Sequence, residues 1–457
     1  MRTETNIVVS GTGVREVFRL AWPVMISMLS YTAMGVVDTL FVARLGTAPL
    51  AAVGFAATLV FTSQSFGAGL MAGVRVVVAQ FTGAGRHQQG IRVAWQGLWI
   101  SAVLGVLISL LSLLGPGIFQ VLGASTTVAL HADSFFAIRV LGAPIVFSTL
   151  AISAWFQGRG DTRTPMIATL LSNGLNIVLD PIFIFGWGIC PALGVGGAAT
   201  ATVISLCAGW AFLVLRAKPH LLSVVARPSR RLLHSVLQMG GPIGVRYFLE
   251  MCSFAVFAAM LAQVGAIELA AHVVVVRIIS LSFLPGHAVS EATGVMVGQL
   301  FGAGQRERSW DAFRSALRLS LGIMAGCGFL FVLAPELLLA PFEAEVAVVD
   351  VARQLLLIAA MFQITDAYIM ASHGAMNGAG DTRFVMISSV CVTWLVKLPI
   401  AYLLTLEMQM GAVGAWLGLA AELLVLCGVC WLRIRSGRWL EIELAAVDEE
   451  TLDGSTG

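Results

Sequence analysis

The chain has 457 residues, of which 58% are hydrophobic and only 11% charged, with a mean hydropathy of +0.90 and a net charge of +2. A soluble domain carries about 25% charged residues, so this composition excludes a surface solvated by water and makes the lipid bilayer the solvent. The small net charge excludes a nucleic-acid partner recruited by global electrostatics.

In chain order, the first 20 or so residues are polar and mixed in charge, without the pattern of a cleaved secretory signal. Apolar runs of about 20 residues, the length that crosses a membrane, then recur about twelve times. They are predicted at roughly 17–43, 49–74, 93–115, 132–156, 164–187, 194–215, 237–262, 267–292, 315–337, 351–376, 384–405 and 411–433. The chain ends in an acidic tail that begins at Glu441 and includes Asp448, Glu449 and Glu450. The seven cysteines are scattered through apolar segments and make no disulfide framework. Cys427 and Cys430 have C-x-x-C spacing but lie inside an apolar run, where they read as small buried hydrophobes.

Cationic residues orient these spans. Arg86 and Arg92, Arg159 and Arg163, the stretch from Arg216 to Arg231, Arg306 to Arg314, Arg383, and Arg433 to Arg438 fall in alternate connections. The opposite connections hold Arg44 and otherwise none. Both termini are therefore expected on the cytoplasmic side, with the chain as a multi-pass protein of a bacterial inner (plasma) membrane.

The sequence says nearly the same thing twice. GRGDTRTPM at Gly158–Met166 returns as GAGDTRFVM at Gly378–Met386, and QFTGAG at Gln80–Gly85 returns as QLFGAG at Gln299–Gly304. Pro23 is answered by Pro242, and LGTAPLAA at Leu45–Ala52 by VGAIELAA at Val264–Ala271. Such self-similarity marks a duplicated unit. With six spans per copy, both copies enter the membrane from the same side, as parallel repeats do. The fold class expected is all-α and integral to the membrane, with two six-helix lobes related by a pseudo-two-fold axis. The expected organisation is an N-lobe over 1–215, a basic cytoplasmic linker over 216–236, a C-lobe over 237–438 and an acidic cytoplasmic tail over 439–457. The repeated GDTR reads as a turn in which Gly ends one helix and Asp and Thr cap the next. The Gly-rich loops lack the G-K-S/T of a nucleotide loop.

Ionisable groups inside a bilayer cost about 2.5–3.5 kcal/mol on insertion scales and so mark functional sites. Asp38 lies deep in the first span. Asn176 and Asp180 lie four residues apart in the fifth, on one helix face. Pro181 removes a backbone donor beside Asp180. Thr202 lies in the small-residue run GVGGAATATVIS of the sixth span, which lets another helix approach. These groups suit a proton or a small cation such as Na⁺; the other reading is a hydrogen-bond cluster that ties three spans together. In the second copy, Glu250 and Asp366 are the intramembrane acids, and the repeat places Tyr31 and Val146 at their counterparts. A fold needs its backbone motifs twice and a coupling site once, so the unshared acids point to chemistry. Arg139 and Arg353 read as snorkelling cations, Arg246 as an i,i+4 partner of Glu250, and Lys397 as a partner of Asp366 or Glu422 or as a group that modulates an anionic substrate.

WPVMISMLSYTAMGVVDTLFVARLG, QFTGAG, QLFGAG, QGRGDTRTP, NGAGDTR and NIVLDPIFIFG together resemble the bacterial multidrug and toxic compound extrusion (MATE) transporters, from about Arg15 to Arg438. The resemblance implies twelve helices in two lobes and export of organic, often cationic, compounds in exchange for H⁺ or Na⁺. It implies an amino-lobe cation site at Asp38, Asn176, Asp180 and Thr202, and carboxy-lobe carboxylates at Glu250 and Asp366. The loop GWGICPALGVGG departs from the family by about four extra residues, which places the register of Thr202 in doubt. The mechanism expected is alternating access, with Pro23, Pro181 and Pro242 as hinge or structural positions. The partners expected are a small organic substrate and the bilayer, with no cofactor beyond the coupling ion, and the chain as a monomer. Two rivals remain. A lipid-linked saccharide flippase would line its path with many cations. An intramembrane enzyme would need a constellation such as HExxH, which the sequence lacks.

Overall fold

The computed structural model describes residues 11–442 apart from 189 and 344. The first ten residues, and the acidic tail from Glu443 onward, lie outside the described residues. The chain is an all-helical membrane protein. Among the described residues, eleven helices are long and apolar enough to cross a bilayer, and one bent pair supplies a twelfth crossing.

The first six crossings are α1 (Val14–Ala43), α2 (Thr47–Gly83), α3 (His87–Ser109), the bent pair α4 (Thr126–Leu141) and α5 (Ala143–Gly158), α6 (Arg163–Phe185) and α7 (Val195–Leu221). The second six are α8 (Arg230–Val264), α9 (Ala266–Gly302), α10 (Ser309–Leu333), α11 (Val346–Ala379), α12 (Thr382–Glu407) and α13 (Gly411–Arg435). Helices α2 and α9 are both 37 residues long, and start and end one repeat apart. They run past the predicted spans, because the sequences QFTG and QLFG continue the helix before Gly85 and Gly304 turn it at φ +71° in both copies.

The fourth crossing was expected to be a single span over 132–156. It is instead bent by 46° between α4 and α5. Pro144 has no N–H to give the carbonyl of Val140, and the Ser109 hydroxyl donates to that oxygen instead, at 3.0 Å. A side chain on Gly105 of α3 would collide with Pro144, its Cβ falling 2.5 Å from the proline Cα, so glycine lets α3 lie against the bend.

The chain forms two compact units. One comprises Ile26–Val78 and Arg86–Gly244, the other Met1–Met25, Ala79–Gly85 and Val245–Gly457. The boundary thus cuts α1 two residues after Pro23 and α8 two residues after Pro242. In the first unit Phe119, Phe135, Phe136, Val140 and Ile184 pack with Val42 and Ala56. In the second, Val17 and Leu20 of α1 pack with Phe301, Phe313, Met376 and the fully buried Trp439.

The small residues act where backbones meet, as expected of helices that associate without a hydrophobic drive. In the first unit Gly69 and Gly73 of α2 face Gly244 and Gly240 of α8, each too close for a Cβ. In the second unit the repeated Gly-rich ends touch one another. A Cβ on Gly83 would fall 1.8 Å from the Gln299 carbonyl oxygen, and one on Gly302 1.8 Å from that of Gln80.

The two GDTR turns do different work. Asp161 accepts from the N–H groups of Arg163 (3.1 Å) and Thr164 (3.0 Å), capping α6 as expected. Asp381 pairs with Arg433 of α13 at 2.8 Å, so the second copy fastens the α11–α12 turn to the last helix. The basic connection is shorter than its sequence suggested. Helix α7 continues through Pro219 to Leu221 and α8 starts at Arg230. What lies between is held by α3: the Trp95 and Trp99 indoles donate to Leu221 and Ala226, and Gln96 donates to Arg227 and accepts from the Ser229 N–H.

Candidate cation site

In the first unit, α1, α4 and α6 supply the site. The sequence spacing of Asn173, Asn176 and Asp180 sets all three on one face of α6, and all three are buried. Asn173 donates to Ser30 of α1 at 2.8 Å. The Asn176 amide donates to Asp180 Oδ1 at 3.2 Å. Asp38 of α1 brings its carboxyl group within hydrogen-bonding reach of Asp180, and Arg139 acts on it electrostatically. The pair thus ties α1 to α6 twice, at Ser30–Asn173 and at Asp38–Asp180.

Three oxygens in this cluster, Asp38 Oδ1, Asn176 Oδ1 and Asp180 Oδ2, are buried and have no hydrogen-bond partner. A buried acceptor without a donor is costly. Two carboxylates and an amide oxygen are also the hard ligands a small cation takes. The donor set fits a proton shared between the two carboxyl groups, or a Na⁺ ion between three oxygens. Among the described residues no group of three or more His, Cys, Asp or Glu side chains is placed to hold a metal ion.

Thr202 is buried on α7, but its hydroxyl donates to Ala198 of its own helix at 2.9 Å. Its helix is brought to α6 through Gly197, where a Cβ would fall 2.2 Å from the Phe183 carbonyl oxygen. The long loop before it folds back, with Leu193 and Gly194 donating to Phe183 and Ile184. Pro181 lies inside an unbroken α6, and Pro23 and Pro242 lie inside α1 and α8.

In the second unit Glu250 and Glu422 are each paired with a cation. Glu250 pairs with Arg246 at 3.2 Å, and Arg246 also meets His373 Nδ1 at 3.5 Å. Lys397 pairs with Glu422 at 3.2 Å and donates to Ser253 at 3.0 Å. Asp366 is buried on α11, within electrostatic range of Glu422. The expected pair Glu250 and Asp366 is therefore part of a larger network on α8, α11, α12 and α13.

The family model described as MatE matches residues 23–182 and again 242–403. The chain belongs to the MatE family. The two matches begin at Pro23 and Pro242, one repeat apart. The probable multidrug resistance protein NorM of Thermotoga maritima is 29% identical over 431 residues, covering 93% of each chain. The multidrug resistance protein MdtK of Edwardsiella ictaluri is 30% identical over 451 residues, covering 93% of this chain and 97% of that one. A solved structure of a MOP superfamily transporter from Pyrococcus furiosus matches with a TM-score of 0.86 at 26% identity, over 96% of this chain and 99% of that one. That transporter is described as having a binding pocket of reverse polarity that suggests a different function.

Within this MatE chain, sequence reasoning missed three polar groups. Arg139 was read as snorkelling near a span end; it sits one turn before the bend, midway along the α4–α5 crossing, and acts on Asp38. The Gly142-Ala-Pro144 sequence was the signal for that bend. Asn173 is three residues before Asn176, on the face already identified. Glu422 was considered only as a partner for Lys397, and the structure selects it over Asp366. Cys427 and Cys430 are free, with Cys430 buried, in keeping with a packing role.

Proposed function

We propose that the chain is a multidrug efflux transporter of the plasma membrane, working as a secondary active antiporter that exports organic, cationic or amphipathic compounds in exchange for H⁺ or Na⁺. The observation that carries this reading is the Asp38–Asn176–Asp180 cluster of α1 and α6, with three buried oxygens that have no hydrogen-bond partner. A hydrogen bond between two carboxyl groups requires a proton on one of them. A cation that replaces the proton must rearrange the Asp38–Asp180 link. Helix α1 is the element through which that link acts at a distance, because its first twelve residues, up to Met25, belong to one compact unit and the rest to the other. Cation binding at Asp38 thus biases the helix that joins the units, and alternating access follows as Pro23 lets α1 give. Each net elementary charge moved down 100 mV supplies about 2.3 kcal/mol, roughly a fiftyfold accumulation ratio.

The alternating basic connections support cytoplasmic termini. A saccharide flippase finds less support, because the buried cations Arg246 and Lys397 are committed to Glu250 and Glu422. The test is export of a fluorescent organic cation from proteoliposomes under ΔpH and ΔNa⁺ imposed separately. Accumulation is expected with at least one gradient and with neither when both are collapsed. Undiminished accumulation with both collapsed would overturn the antiport reading.

A further inference from the structure

The connection between α7 and α8 lies against the end of an apolar face of its own unit. Trp95, Gln96 and Trp99 of α3 hold it. Beyond Trp99 the same face of α3 continues at helical spacing through Val103 and Val106, both exposed and apolar, as a face that touches lipid is. The connection thus sits where a bilayer changes from acyl chains to headgroups, the depth at which tryptophans gather. Two of its own residues, Leu222 and Val225, are apolar and exposed by 59% and 70%. Water alone gives no reason for that exposure in a segment so firmly held, whereas a leaflet accepts both side chains.

The cations beside this ledge are not neutralised by the protein. The Gln96 amide donates to the carbonyls of both Arg92 and Arg227, at 3.2 Å each, which brings the two arginines together where α3 and the connection meet. Arg230 follows at the first position of α8. All three are exposed, and among the described residues none of them makes an ion pair. No Asp or Glu occurs between Asp38 and Asp133 or between Asp180 and Glu250, so neither segment carries an acid of its own to answer them. The basic positions of the second unit are different. Arg314 pairs with Asp311 at 3.9 Å, Arg433 pairs with Asp381 at 2.8 Å, and Arg306 donates to the Leu440 carbonyl. Orientation in the membrane needs cations on one side and is served by both arrangements. It does not account for cations kept clear of acids beside exposed apolar side chains.

We propose that this surface of the first unit binds an anionic phospholipid: the headgroup phosphate lies against Arg92, Arg227 and Arg230, and the acyl chains run along α3 past Trp99 and Val103, beside Leu222 and Val225. The charge of the cluster calls for an anion and the ledge calls for acyl chains, and an anionic lipid supplies both in one molecule. The bound lipid adds a further fastening between α3 and the connection that leads into α8. This goes beyond the antiport reading and does not depend on it.

The full chain, purified in detergent and stripped of lipid, is titrated with phosphatidylglycerol, with phosphatidylcholine of the same acyl chains, or with inorganic phosphate. Bound lipid is counted by native mass spectrometry, and thermal unfolding is followed beside it. Phosphatidylglycerol is expected to bind about tenfold or more tighter than phosphatidylcholine and to raise the melting temperature, whereas inorganic phosphate does not raise it. Arg92→Gln combined with Arg227→Gln and Arg230→Gln is expected to bring the two lipids to within about twofold of each other. The hold on α3 survives in that variant, because Gln96 bonds to backbone carbonyls and not to the arginine side chains. Arg314→Gln combined with Arg435→Gln and Arg438→Gln removes the same charge from exposed positions of the second unit and is expected to keep the preference. Leu222→Ser combined with Val225→Ser keeps every cation and is expected to weaken both lipids; it carries the test if the first variant is not recovered folded, and unchanged binding there counts against the proposal. Equal affinity for the two lipids in the parent, a preference that survives loss of Arg92, Arg227 and Arg230, a preference lost equally in the second-unit variant, or equal protection by inorganic phosphate would overturn it.

Discussion

At the scale of single residues, a backbone that leaves no room for a Cβ is as specific as a polar contact. Gly83→Ala and Gly302→Ala are expected to destabilise the protein by about 1–3 kcal/mol or more, as overpacking does, because the clash at 1.8 Å is with a carbonyl rather than a flexible side chain. Gly174 of α6 has open space around it, so Gly174→Ala is expected to be neutral or to gain up to about 1 kcal/mol from helix propensity. Thermal unfolding in detergent checks all three. Within the cation cluster, Asn176→Leu is expected to abolish cation-driven export, while Thr202→Ala retains most of it, since the Thr202 hydroxyl is already spent on Ala198. The sequence made Asp38, Asn176 and Asp180 legible because charge in an apolar run stands out. It did not make Arg139 legible, because the bend that carries it to mid-membrane depends on Pro144, Ser109 and Gly105 acting together. Nor did it separate the two GDTR copies, since the partner that diverts Asp381 from capping is Arg433, 52 residues away.

At the scale of elements, all twelve predicted crossings are present, and the differences lie at their ends. Hydropathy marks where a helix is apolar. It does not mark where one stops, so α2 and α9 outrun their predicted spans and the basic connection shrinks to the residues between Leu221 and Arg230. The pinning of that connection on α3 has a mechanical consequence. Four hydrogen bonds from Trp95, Gln96 and Trp99 hold it, and Gly240 and Gly244 hold the start of α8 against α2. The unit boundary accordingly falls within α8, just after Pro242, rather than in the loop. Gln96→Ala is expected to raise amide-hydrogen exchange across residues 222–229, by roughly the tenfold that corresponds to about 1.4 kcal/mol, without loss of the folded state. Pro242→Ala restores the hydrogen bond to Gln238. It is expected to raise stability slightly and slow export while leaving substrate binding unchanged, measured as turnover against equilibrium binding in the same preparation. Slowed binding with unaltered turnover would show that the proline shapes the substrate path instead.

At the scale of the whole molecule, duplication provided the fold and its breaks provided the chemistry. The copies share their prolines, their Gly-rich helix ends and the length of α2 and α9. They differ where ionisable groups sit, with unbonded oxygens at Asp38, Asn176 and Asp180 in the first and matched pairs at Arg246–Glu250 and Lys397–Glu422 in the second. Matched pairs stabilise a particular packing and resist change, since removing one partner of a buried pair costs about 3–5 kcal/mol. Unmatched groups hold the capacity to bind something that comes and goes. The central claim is that the exchangeable ion of this MatE chain binds at Asp38 and Asp180. The most direct measurement is export driven by an imposed ΔpH or ΔNa⁺ in proteoliposomes carrying Asp38→Asn or Asp180→Asn, with equilibrium substrate binding measured beside it. The account predicts that either substitution removes gradient-driven export at least tenfold while substrate binding persists. Gradient-driven export at the parent's rate in both variants would contradict it.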